Sequence, residues 1–293
     1  MNLVLTVLEV VAPVFALAAI GFAWVRAGFE YRVEFVTRLA TTLAVPCLIF
    51  MTLVRADITP AALATVSAAA LAAYGALGLA FWAGLRATGM EIRTWLAPMV
   101  FGNTGNLGLP LALFAFGEAG LSLAVVIFAV TSVLAFTVGV WLVSGGGSPG
   151  RVLREPMVPA ALLGVVFLSQ GWGVPVWVGN TMDLVGQMAI PLMLLTLGVA
   201  VARLRPAGFL RPLAMAGVRV AACTAVGWAV GTAIGLSGVA LSVLILQVAT
   251  PAPVTSYLLA EKFGADSEAV AGLVVVSTLL AVLTIPLTLA VLL

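Results

Sequence analysis

The sequence predicts an all-α polytopic membrane protein: ten transmembrane helices forming two inverted five-helix repeats, with helices four and nine broken and crossing. Three observations lead there. Over 293 residues the chain is 63% hydrophobic and 8% charged, whereas soluble domains carry roughly a quarter of their residues as charges. Its basic residues gather in alternate connectors. The sequence also matches itself at an offset of about 146 residues, near half its length.

A spanning helix needs about 20 mainly apolar residues. Apolar runs bounded by Arg, Pro and Gly predict spans at roughly 3–26, 35–54, 60–86, 94–116, 120–143, 156–172, 175–202, 208–235, 238–262 and 267–292. The first lacks the basic start and cleavage site of a signal peptide and stays apolar to Trp24 and Val25, so it reads as a retained span. No connector is long enough for a soluble domain. Ser144-Gly145-Gly146-Gly147-Ser148-Pro149-Gly150-Arg151 looks like a linker. The reading is therefore a first repeat over 1–143, a linker over 144–155 and a second repeat over 156–293.

Orientation follows from Lys and Arg, which favour cytoplasmic loops. Connectors after the odd-numbered spans hold Arg26, Arg32, Arg38, Arg86, Arg93, Arg151, Arg154, Arg203, Arg205, Arg211 and Lys262; the opposite connectors hold only Arg55. Both termini are expected on the outer (periplasmic or extracellular) side.

The self-match rests on two separate blocks. Ala44-Val45-Pro46 pairs with Ala189-Ile190-Pro191, and Pro60 with Pro206. Phe116-Gly117 followed by Val130-Thr131-Ser132 pairs with Phe263-Gly264 followed by Val276-Ser277-Thr278. Five spans per copy is odd, so the second copy enters the membrane upside-down. Inverted repeats of this kind are typical of secondary transporters, whose two halves can present one central site to either side.

Spans four and nine each carry a polar, helix-breaking cluster at about mid-depth. The first is Gly102-Asn103-Thr104-Gly105-Asn106-Leu107-Gly108-Leu109-Pro110; the second is Gln247-Val248-Ala249-Thr250-Pro251-Ala252-Pro253-Val254-Thr255-Ser256. Pro removes a donor and Gly tolerates unusual dihedrals, so both should unwind. Unwound backbone is tolerable in a membrane only inside protein or along a wet cavity. The breaks are therefore expected to meet. Each exposes a half-helix N-terminus, whose free N–H groups and dipole favour an anion. The candidate substrate-binding residues are Asn103, Thr104, Asn106, Pro110, Gln247, Thr250, Pro251, Pro253, Thr255 and Ser256. The bland alternative is that Asn, Thr and Ser merely glue helices together. Pro46 and Pro191 are read as kinks in spans two and seven that shape the scaffold.

Arg219, within span eight, has two readings. Its stem could reach the interface or pair helices, or it could be an interior cation that attracts an anion. Asp183 and Gln187 are expected at the interface. No carboxylate flanks either break: Glu118 and Glu261 lie about eight residues beyond Pro110 and Pro253, roughly 12 Å along a helix. That weakens ion coupling through the crossover, and Glu9 is the remaining acidic candidate. The absence of His removes imidazole chemistry, Cys47 and Cys223 read as buried thiols, and neither metal, cofactor nor nucleic-acid partner is expected.

These residues resemble the auxin efflux carrier family, which contains the plant PIN carriers and many bacterial permeases. The cues are Ala44-Val45-Pro46-Cys47-Leu48-Ile49-Phe50, the run from Gly102 to Leu111, Ala189-Ile190-Pro191-Leu192, and Phe263-Gly264-Ala265-Asp266. The match covers essentially the whole chain, and its length resembles the bacterial members. The resemblance implies a scaffold of helices 1, 2, 6 and 7 and a transport domain of helices 3–5 and 8–10 that moves elevator-like in a homodimer in the cell (inner or plasma) membrane. It implies organic-anion substrates such as auxin, malate or malonate. Asn103 or Asn106 with Pro110 would form one side of the crossover, and Pro251 or Pro253 the other. A sodium-coupled symporter of the bile acid type is the alternative, although it should carry an acidic residue in the ninth-span break. A receptor without transport should bring an output domain, and an intramembrane enzyme should bring catalytic pairs.

Overall fold

A chain in hydrocarbon must pair its peptide groups within its own helices, and among the described residues all regular structure is helical. The computed structural model describes residues 3–56, 59–145, 156–203 and 209–293. The expected linker beyond Gly145, together with Arg151, Arg154, Arg205 and Pro206, lies outside them.

The helices fall on the apolar segments. In the first half α1 is Leu3–Arg26, α2 is Val33–Val54 and α3 is Pro60–Ala87, started by Pro60 and capped by Thr59, whose hydroxyl accepts from the Ala62 N–H. Helices α4 (Ile92–Val100) and α5 (Leu109–Leu134) flank the first break, and α6 is the short Val140–Ser144. In the second half α7 is Met157–Gln170, α8 Val176–Gln187, α9 Ala189–Arg203 and α10 Leu210–Ala233. Helices α11 (Gly238–Ala249) and α12 (Val254–Phe263) flank the second break, and α13 is Ser267–Leu292.

By length and apolarity six helical segments qualify as membrane spans, or seven if α11 and α12, bent by 40° at their junction, count as one. Val11–Arg26 and Pro159–Gln170 are shorter apolar helices. One of the six is the 53-residue run Ile92–Ser144, which as one rod would be about 80 Å long against a hydrocarbon core of about 30 Å. It is not one rod. Gly117, with φ 66 and ψ −159, breaks α5 between the segments assigned to spans four and five. Ahead of Pro46, α2 loosens into a π turn at Ala40–Ala44, and α8 gives way to α9 just before Pro191.

Two packing groups emerge. In one, α1 lies along α9, and α2 lies against α7 and α8. Gly198 is where α1 and α9 touch backbone to backbone, since a Cβ there would run into the Ala18 carbonyl. In the other, α10 packs on α3, α11 and α13, α3 on α4 and α5, and α12 on α13. Bulky apolar side chains such as Leu79, Leu184, Leu283 and Leu287 stand exposed, a surface that lipid covers at no cost. Charge is rare inside: Arg219, at 0% exposure, is the one charged side chain among the described buried residues.

Candidate functional site

The site begins with two interruptions. After α4, Phe101 is extended (φ −85, ψ 137) and Asn103 takes φ −77, ψ 56. A single π turn, Thr104–Gly108, then feeds α5, with Pro110 in its first turn, where a missing N–H leaves no bond unmade. Between α11 and α12, Thr250 (ψ 148) and Pro253 (ψ 146) are likewise non-helical. The unwound stretches are shorter than the clusters that predict them. Gln247 remains in α11, Thr255 and Ser256 belong to α12, and Pro110 belongs to α5, because a proline at or just before a helix start lacks only an N–H that the helix would not pair, so it opens the helix instead of breaking it.

The two breaks meet. The Asn103 N–H donates to the Pro251 carbonyl at 2.8 Å, and the Asn103 carbonyl accepts from Leu107 and Gly108 at 3.2 and 3.1 Å. The Thr250 hydroxyl donates to the Gln247 carbonyl at 2.6 Å. The Ala252 N–H donates to Ser277 Oγ of α13 at 3.1 Å. Arg219, reaching in from α10, satisfies three more carbonyls: Nε donates to Pro98 at 3.2 Å, Nη2 to Phe101 at 3.0 Å and Nη1 to Thr250. Each such group left unpaired in an apolar medium would cost several kcal/mol. The guanidinium is thus interior and bonded to the backbone of both breaks.

Beside the crossover lies a cavity of about 150 Å³. Residues at both half-helix N-termini line it: Asn103, Thr104, Gly105 and Asn106 from one, and Pro253, Val254, Thr255 and Ser256 from the other. Of the sequence-predicted residues, Asn103, Thr104, Asn106, Pro253, Thr255 and Ser256 come together here. Pro110, Gln247, Thr250 and Pro251 do not line it; Thr250 and Pro251 serve the crossover itself. Among the described residues no charged side chain lines the cavity.

Two buried amides stand out. Asn103 Nδ2 has no hydrogen-bond partner at a cavity wall, and neither Nε2 nor Oε1 of Gln247 has one. Gln247 packs on the second glycine of the π turn, so that a Cβ at Gly108 would collide with its amide. Sequence reasoning missed Thr41 of α2 and Thr131 and Ser132 of α5, which line the same cavity with Phe101, Phe128 and Met193. The adjacent pair Thr131-Ser132 in an otherwise apolar run was the available signal.

Arg93 anchors the walls. Arg93 donates to the Val143 carbonyl through Nε (3.2 Å) and Nη2 (3.0 Å), and to the Phe263 carbonyl through Nη2 (3.0 Å), tying α4 to the C-termini of α6 and α12. By the Gly117 kink within α5, a second cavity of about 550 Å³ holds Glu118, Gln187 and the Arg55–Asp183 ion pair at 2.5 Å. Glu9 is exposed.

Comparison with known proteins places the chain in a family of transporters. A family model described as membrane transport protein matches residues 6–152 and 147–289. An uncharacterized transporter of Methanothermobacter thermautotrophicus is 26% identical over 294 residues, covering 95% of this chain and 96% of the relative. An uncharacterized transporter of Methanocaldococcus jannaschii is 23% identical over 201 residues, covering 64% of each. With nearly every described residue inside the matched regions, the chain belongs to the membrane transport protein family, that of the auxin efflux carriers.

Proposed function

We propose that this membrane protein is a secondary transporter that carries a small organic anion, such as a carboxylate, by alternating access. The observation that carries the reading is that the N-terminal residues of two half-helices, from the two halves of the sequence, line one small cavity. Helix N-termini supply free N–H groups and about half a positive charge each, enough to hold an anion without a Lys or Arg in contact. Asn103 Nδ2, buried and unpartnered, is a donor waiting for an acceptor. A volume of about 150 Å³ is below the roughly 300 Å³ at which drug-sized sites begin, which favours a small guest.

The finer architecture belongs to the same proposal. Counting the run Ile92–Ser144 as two spans, α8–α9 and α11–α12 as one each, and α1 and α7 as spans yields ten, in two inverted sets of five. The packing of α1 and α2 with α7–α9 supports a scaffold, and that of α3–α6 with α10–α13 a transport domain that slides elevator-like against it. Thr41, Val45 and Met193 line the cavity from the scaffold side, so the guest would sit at the sliding surface. The resemblance adds a homodimer in the inner or plasma membrane, and the distribution of Lys and Arg supports both termini outside. Arg219 donates to carbonyls of both breaks, so the anion would meet the half-helix N-termini and the amides and not the guanidinium. With no acidic side chain in either break, the sodium-coupled alternative is disfavoured.

Uptake of labelled mono- and dicarboxylates into proteoliposomes, with and without imposed sodium and pH gradients, tests this. Saturable, sodium-insensitive flux that falls sharply in Asn103→Ala and Asn106→Ala is expected. Undiminished flux in both variants would remove the proposed site.

A further inference from the structure

We infer that Arg219 is a tethered counter-cation: it occupies the place where carbonyls of both breaks converge, so the crossover carries its own cation and needs none from solution. The inference goes beyond the transport reading, and its test reads stability, so either can fail while the other stands.

Three facts carry it. The guanidinium is at 0% exposure. Its three acceptors are main-chain oxygens drawn from both interruptions, Pro98 and Phe101 at the end of α4 and Thr250 at the end of α11. It is delivered by α10, an unbroken 24-residue helix that is part of neither break. Unwound carbonyls and half-helix C-terminal ends are the groups that bind small cations in broken-helix transporters. Here an arginine fills that role covalently.

The charges balance. Each half-helix C-terminus carries about −0.5 elementary charge, so two together match one guanidinium. A buried cation is tolerable only with such compensation. The same two interruptions turn their opposite, positive ends toward the cavity. Arg219 is therefore a positioning residue: it holds the negative ends together and leaves the positive ends free for a guest. There is no slack around it, since a Cβ on Gly102 would come within 3.2 Å of Nη2.

The test is thermal unfolding of wild type, Arg219→Met and Arg219→Lys in lipid nanodiscs, with choline, sodium or methylguanidinium at millimolar concentration as the only small cation. Wild type is expected to unfold at the same temperature in all three. Arg219→Met is expected to lose about 10 °C in choline, as for several unpaired buried carbonyls, and to regain at least half of that in sodium or methylguanidinium. A wild type that needs sodium, an Arg219→Met midpoint unchanged in choline, or a loss that neither small cation repairs overturns the inference. Should Arg219→Met not fold, Arg219→Lys decides: folding with a midpoint within about 5 °C of wild type supports the tethered charge, and equal failure to fold overturns it.

Discussion

The main-chain N–H of Asn103 donates to the carbonyl of Pro251 at 2.8 Å, joining the two interrupted helices across 148 positions of sequence. Because this bond is made by the backbone, the side chain of Asn103 is not needed for it. Its Nδ2 is left without a partner at the wall of the cavity.

Asn103→Ala should therefore separate stability from transport. The crossover bond survives and a buried unpartnered donor is removed, so the unfolding temperature should stay within about 2 °C of wild type. Loss of one hydrogen bond to a charged guest should lower apparent affinity about tenfold. Paired thermal unfolding and uptake measurements check this; a large drop in stability would mean the side chain is structural.

Gly108 and Gln247 should be energetically coupled. A methyl at position 108 meets the Gln247 amide, so Gly108→Ala should cost about 1–3 kcal/mol, as overpacking does. Truncating the amide in Gly108→Ala/Gln247→Ala should recover much of it. A double-mutant cycle should give a coupling energy above about 1 kcal/mol, and additive losses would contradict the packing described.

Ser277 reaches the second break from a different helix. Removing its hydroxyl in Ser277→Ala orphans the buried Ala252 N–H, for which Ser277 Oγ is the acceptor at 3.1 Å, at a cost of about 1–3 kcal/mol. Thermal unfolding measures the loss. Ser277→Thr, which keeps a hydroxyl, should retain more stability than Ser277→Ala.

Arg93 bonds carbonyls near the C-termini of α6 and α12, where a cation also complements the helix dipoles. Arg93→Gln should loosen those ends locally. Hydrogen exchange should accelerate at Val140–Ser144 and in the last turn of Val254–Phe263 while Gly238–Ala249 stays protected; uniform acceleration would argue against a local tie.

The membrane class, the positions of the helices and the existence of two interruptions were legible without coordinates. Each depends on chemistry local in sequence: about 20 apolar residues satisfy a bilayer, and Pro110 with Gly102, Gly105 and Gly108, like the pair Pro251 and Pro253, disfavours a continuous helix wherever the chain goes. Less was legible at the site. Both asparagines were credible partners for the crossover, and only the tertiary structure assigns the backbone of Asn103 to it, with both residues lining the cavity. The flanking clusters overstated the unwinding, since Gln247 and Thr255 remain helical.

By itself, then, the sequence determined a helical membrane protein with two matched interruptions, because hydrophobic burial and backbone pairing act through neighbours along the chain. Tertiary structure alone decided that Arg219 bonds to carbonyls 31, 118 and 121 positions away, and that Thr41, Thr131 and Ser132 share a cavity with Asn103 and Thr255. The physical reason is that a buried charge goes wherever acceptors converge in space, and that convergence is a property of how the helices pack, which no local pattern encodes.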